Sequence, residues 1–123
     1  MSKTYYYVTT SIPYASGNPH IANAIDWLDA DTVARYQKQQ GKTVLYSAGA
    51  DEHGSKIYEK AAEAGKKPEE FIEDIIPVIE QGHALIHSQY THFARTHSKQ
   101  HIKIAQQLWK QMGDDIYKST YSG

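Results

Sequence analysis

The sequence predicts an α/β fold with about three parallel strands and flanking helices. Two observations carry this. Short aromatic and β-branched runs alternate with longer runs of helical periodicity, the order of a parallel sheet with crossover connections. Glycine-bearing turns follow the first two predicted strands, at 15–17 and 49–54, and open α/β sheets bind ligands at such strand ends. Three strands make half of a doubly wound sheet, which leaves open edges for something else to cover.

The elements follow in order. Tyr5 to Thr10 (Tyr-Tyr-Tyr-Val-Thr-Thr) has the composition of a buried strand. The triple tyrosine reads as strand packing and not as a base-stacking platform, since no basic groove accompanies it. After the turn Ala15-Ser16-Gly17, Asn18 is predicted as an N-cap and Pro19 as the first helical residue. Ile21, Ala24, Ile25 and Leu28 define the apolar face of this helix, which runs to about Gln40 and stops at Gly41. Thr43 to Ser47 is the second strand, and Ser55 to Ala64 a helix closed by Gly65. A third helix opens at Pro68, with Glu69 and Glu70 suited to its positive end. Its face is Phe71, Ile72, Ile75, Ile76 and Ile79, and Pro77 is expected to kink or split it. Phe93 to Thr96 is a short third strand. Ser98 to Met112 is a last helix with Ile102, Ala105, Leu108, Trp109 and Met112 on one face, and Asp115 to Gly123 an extended tail.

The bulk composition narrows the function. A chain of 123 residues with 40% hydrophobic content reads as one globular domain. A net charge of −1 gives no basic field for a polyanion. The absence of cysteine excludes disulfides and thiolate zinc sites, and makes a cytoplasmic location the expectation. No apolar run approaches a membrane span, and Met-Ser-Lys-Thr lacks the apolar core of a signal peptide.

Three groups of residues could carry chemistry. The helix start at Asn18-Pro19-His20 offers free N–H groups and a histidine to an anion; the same residues also suit an ordinary capped helix. Gly49-Ala-Asp-Glu-His-Gly-Ser-Lys56 is not a P-loop, because the order Gly-Ser-Lys reverses the required Gly-Lys-Ser. Asp51, Glu52 and His53 could hold an ammonium group, or form a charged surface turn. His83 with His87, and His97 with His101, have a spacing that can share a metal, although no catalytic carboxylate accompanies them.

Thr9-Thr-Ser-Ile-Pro-Tyr-Ala-Ser-Gly-Asn-Pro-His-Ile, Ala30-Asp-Thr-Val-Ala-Arg-Tyr, Gly49-Ala-Asp-Glu-His-Gly and Asp115-Ile-Tyr-Lys, in this order and spacing, resemble the N-terminal catalytic segment of the methionyl-tRNA synthetase family, class I aminoacyl-tRNA synthetases. The resemblance covers nearly the whole chain and implies a Rossmann-type nucleotide-binding domain, of which residues 1–123 are the first half. It implies a methionine–tRNA ligase, in which methionine and ATP, with its Mg2+, form methionyl-adenylate before transfer to tRNA. By the family motif His-Ile-Gly-His, His20 and Asn23 take the catalytic positions, and Gly17, Asn18, His20, Ala22 and Asn23 the ATP-binding ones. Ile12, Tyr14 and Asp51 would bind methionine, Asp51 through its α-ammonium group. No structural metal belongs to this segment.

Two residues depart from the motif. Ala22 replaces a glycine against which adenine packs, and Asn23 replaces a histidine, keeping a donor without a charge. The family's Lys-Met-Ser-Lys-Ser loop, zinc-bearing insertion, second Rossmann half and anticodon helices have no counterpart in this sequence. The expectation is therefore a truncated relative that is inactive alone and reaches tRNA only through other domains. It would be completed by a C-terminal piece, or self-associate at its open sheet edge. The alternatives are a non-catalytic assembly module of the same ancestry and a histidine-based metal protein.

Overall fold

A computed structural model of the chain describes residues 4–120. Strands β1 (Tyr5–Thr9), β2 (Thr43–Ala50) and β3 (His92–Arg95) form one parallel sheet in the order β1-β2-β3. Helices α1 (Ile21–Gln39), α2 (Ser55–Glu63) and α3 (Pro68–Leu85) fill the crossovers, and α4 (Lys99–Met112) and a short 3-10 turn (Gly113–Asp115) follow. The predicted α/β class is the observed one. Gly41 and Gly65 end their helices with φ of +78° and +67°, a region open to glycine without steric conflict.

The sheet is covered on one face. Tyr6, Val8, Val44, Tyr46 and Ala48 meet Ala30 and Ala34 of α1, whose small side chains let the helix approach closely. Further along, Trp27, Ala50, Ile57, Ile72, Ile76 and Ile79 join α1, β2, α2 and α3. On the opposite face Tyr5, Tyr7 and Leu45 are exposed. The composition of Tyr5 to Thr10 suggested a buried strand, but β1 is an edge strand with one covered face.

Several expectations change. β2 continues through Ala50, and β3 starts one residue early, at His92. The helix after β1 begins at Ile21, with His20 and not Asn18 as its N-cap and Pro19 outside it. Its buried residues are Trp27, Ala30, Asp31 and Ala34, while Ile21, Ile25 and Leu28 are exposed. Both stripes have helical spacing; the one with Ala30 and Ala34 packs against Val44, Tyr46 and Ala48 of β2. Pro77 does not split α3; it and Glu73, whose carbonyl loses its helical partner, are both exposed residues. α4 forms as predicted, yet none of its residues is buried. The tail expected from Asp115 has no regular structure at 116–120, and 121–123 lie outside the described residues.

Buried polar groups lock the crossovers. Asp31 accepts from Arg35 and from the Gln89 N–H (2.7 Å), fixing the loop before β3. The Glu52 carboxylate, fully buried, pairs with Arg95 and accepts from the His97 N–H at 2.7 Å. Arg95 reaches on to Glu73 of α3 at 2.6 Å. His83, 1% exposed, stacks on Trp27 with ring centroids 3.9 Å apart. Burial pushes its pKa down to about 4, against a smaller opposing pull from Asp31.

This last shift has a defined sign. The native state holds His83 neutral while the unfolded chain protonates it near 6.5, so its contribution is intact above pH 6.5 and is lost as pH falls toward about 4. Between those values the unfolding free energy should rise with a slope of up to about 1.4 kcal/mol per pH unit from this group. Urea unfolding across that range measures it, and His83→Phe should remove this component of the slope.

Candidate functional site

The site lies where β1 and β2 end. Beyond β1 the chain turns back and pairs with the residue after β2: the Ala15 N–H donates to the Asp51 carbonyl and the Asp51 N–H to the Pro13 carbonyl, both at 2.8 Å. Tyr14 and Asp51 are thus neighbours across a parallel bridge. Ala15 is fully buried and anchors this turn in the core. A second clasp holds the loop to α1, where Asp26 accepts from the Ser11 N–H (2.9 Å) and hydroxyl (2.6 Å).

Ile12, Tyr14, Gly17, Asn18, His20 and Asn23 line one open recess of about 300 Å³. Tyr14 also walls a neighbouring recess of about 250 Å³, shared with His53, Lys56 and the start of α2. Ala22 is exposed on the first turn of α1, outside the lining of the first recess. Of the predicted site residues, six line the recess; Asp51 is bridged to Tyr14 through its main chain but lines neither recess, and Ala22 stands beside the first.

The three consecutive polar residues after β2 divide their work. Glu52 turns into the core toward Arg95, so it is not available to a ligand. Asp51 is only partly buried, and its Oδ1 accepts from the His53 N–H at 3.3 Å. Of the two carboxylates, Asp51 is therefore the one that remains partly exposed.

At the helix start, Asn23 Oδ1 accepts from the His20 N–H at 3.0 Å. This bond fixes the amide: with its oxygen held by the backbone, Nδ2 is left as the donor. The His20 carbonyl accepts from the Asn23 N–H at 2.9 Å and the Ala24 N–H at 3.3 Å. The N–H groups of Ile21 and Ala22 precede this ladder and remain for an anion.

The histidine pairs do not share faces. His83 is buried against Trp27 with Nδ1 3.1 Å from Ser88 Oγ, whereas His87 is exposed beyond the end of α3 at φ +55°. His97 lies before α4 and approaches His53 (5.4 Å between centroids). Among the described residues no group of three or more His, Asp or Glu is arranged to hold a metal. The residues that sequence reasoning missed are Ser11, Asp26 and Trp27. Their partners lie far along the chain, and no local pattern announces them.

A model of the family described as tRNA synthetases class I (M) matches residues 6–123. The methionine–tRNA ligase of Clostridium perfringens is 38% identical over 125 aligned positions, covering 100% of this chain and 19% of that protein. The corresponding ligase of Halalkalibacterium halodurans is 38% identical over 120 positions, covering 96% and 18%. Among solved structures, Mycobacterium tuberculosis methionyl-tRNA synthetase in complex with methionyl-adenylate is similar with a TM-score of 0.86 at 29% identity, over 89% of this chain and 21% of that one. The chain spans about a fifth of the length of the relatives it matches. Matched along nearly its whole length by that model, it belongs to the class I tRNA synthetases, in the methionine group.

Proposed function

We propose that residues 1–123 are the N-terminal half of a methionine–tRNA ligase catalytic domain, and that the recess is the first half of its adenylate-forming site. The observation that carries this reading is the meeting of Tyr14 and Asp51 at the strand ends beside His20 and Asn23 at the helix start. An amino acid and a nucleotide phosphate need opposite partners. Asp51 offers a carboxylate to the α-ammonium group of methionine, with Ile12 and Tyr14 beside its side chain. His20, the Asn23 amide and the free N–H groups of α1 face an α-phosphate, and Gly17 and Asn18 leave the approach open.

In the reaction, a methionine carboxylate oxygen attacks the α-phosphorus of ATP and pyrophosphate leaves, its charge met by the Mg2+ that accompanies ATP. Negative charge grows on the α-phosphate oxygens, where fixed donors act most strongly. His20 and Asn23 Nδ2 are those donors. On this reading neither transfer of the methionyl group to tRNA nor the grip on pyrophosphate is assigned to any of these 123 residues, and no aminoacylation is expected from them alone. This reading places the protein in the cytoplasm, with translation.

A second reading, an assembly module, is favoured by one observation. The bare sheet face with Tyr5 and Tyr7, and the exposed Ile21, Ile25 and Leu28 of α1, leave apolar surface uncovered. A complementary C-terminal piece or a second copy of the chain would cover it.

Titration calorimetry with a non-hydrolysable methionyl-adenylate analogue tests the first reading. Native binding is expected, with Asp51→Asn weakening it about tenfold or more while leaving thermal unfolding nearly unchanged; equal affinities would remove Asp51 from the site. Asn23→Asp keeps the oxygen that caps His20 and deletes the amide donor. It should hold stability to within about 0.5 kcal/mol yet weaken the analogue, and unchanged binding would show that Nδ2 does not reach the phosphate. Sedimentation of the native chain should show reversible self-association at high concentration if the second reading holds, and a single monomer species argues against it.

A further inference from the structure

Trp27 stands one helical turn beyond Asn23, on the same side of α1. Its indole is 1% exposed and is held from two directions. His83 lies against one ring face, at 3.9 Å between centroids and 22° between planes. Gly82 closes the other approach: a Cβ built there would sit 3.0 Å from Trp27 Cζ3 and 3.4 Å from Pro19 Cγ. A side chain at this one position of α3 would therefore meet both the indole and the residue that precedes His20.

Hydrogen-bond accounting fixes the His83 ring as well. Tyr46 Oη donates to the Trp27 carbonyl at 3.1 Å, Ser88 Oγ is 3.1 Å from Tyr46 Oη, and His83 Nδ1 is 3.1 Å from Ser88 Oγ. All three contacts are made only if Nδ1–H donates to Ser88, Ser88 to Tyr46 and Tyr46 to Trp27. The opposite tautomer makes fewer bonds and buries an Nε2–H donor without a partner, since Nε2 has none. The chain of donors ends on the backbone of Trp27, so β2, α3 and the loop before β3 converge on this one residue of α1. Asp31, Tyr90 and Phe93 complete the surroundings of the ring.

We propose that Gly82, His83 and Trp27 are positioning residues for the adenylate recess: the neutral His83 ring seats the indole, and the indole with Gly82 sets where Pro19, His20 and Asn23 stand. This rests on the reading of the recess given above. No part of the set touches a ligand; it acts through the start of α1. An ordinary core aromatic would tolerate an added methyl by local repacking, whereas here the methyl has two neighbours and one of them is the loop of the site.

The test compares Gly82→Ala, His83→Phe and His83→Ala by amide nuclear magnetic resonance and by titration with the non-hydrolysable methionyl-adenylate analogue. Gly82→Ala should shift the amides of His20 to Asn23 more than those of α2, and weaken the analogue about tenfold. His83→Phe keeps a flat ring under the indole and should stay within about threefold of native, rescuing the larger loss in His83→Ala. Unmoved His20 to Asn23 amides in Gly82→Ala, or equal losses in His83→Phe and His83→Ala, would overturn the proposal. If the native chain fails to bind the analogue, the adenylate reading falls, and the amide shifts in Gly82→Ala still decide the positioning claim.

Discussion

Everything at the working end of this molecule hangs on how β2 terminates. As the central strand it must satisfy β1 on one edge and β3 on the other, and it does so one residue beyond its last ladder bond as well. Asp51 pairs through its main chain with the turn after β1, and Glu52 pairs through its side chain with Arg95 and the His97 N–H of β3 and its exit. The division commits the Glu52 carboxylate to the core and leaves that of Asp51, one residue earlier, partly exposed. A buried carboxylate is expensive to desolvate, and Glu52 is tolerable because a guanidinium and a backbone donor meet it. Gly49 belongs to the same junction, since a side chain there would overlap the Ala94 backbone and push β3 away.

The sequence announced the fold through features that act locally. Aromatic and β-branched runs marked the strands, and Gly41 and Gly65 stood where a positive φ closes a helix. It misplaced features decided at a distance. Asn18-Pro19 has the grammar of a helix start, yet the helix begins after His20, where the Asn23 side chain closes on the His20 N–H. α1 carries two stripes at helical spacing, and contact with β2 and α3 chooses between them. Six candidate residues share the recess because the family motif records a geometry that composition does not. That Glu52 would point inward depends on Arg95, far along the chain, and no window on the sequence contains both.

The site and the core also trade with each other at α1. The helix presents its N-terminal turn to the recess and its next turn to Trp27, so the residues that face a ligand and those that fix the fold are separated by one turn. Asn23 belongs to both sets. Its oxygen accepts from the His20 N–H and completes the helix start, which leaves its nitrogen as the donor at the recess.

The parallel pairing has a consequence for synthesis. Tyr5 finds its partner only at Thr43, and Ser47 only at His92. On a translating ribosome β1 emerges before β2 and must wait roughly two to eight seconds, at ordinary elongation rates, for the strand that completes it. Throughout that interval Tyr5-Tyr-Tyr-Val-Thr9 is an uncharged run of strong strand formers with no partner of its own chain, the kind of segment on which nascent polypeptides aggregate and chaperones act. The order in which the sheet closes thus leaves β1 without its partner until β2 has emerged, and leaves one edge of β2 open until β3 follows.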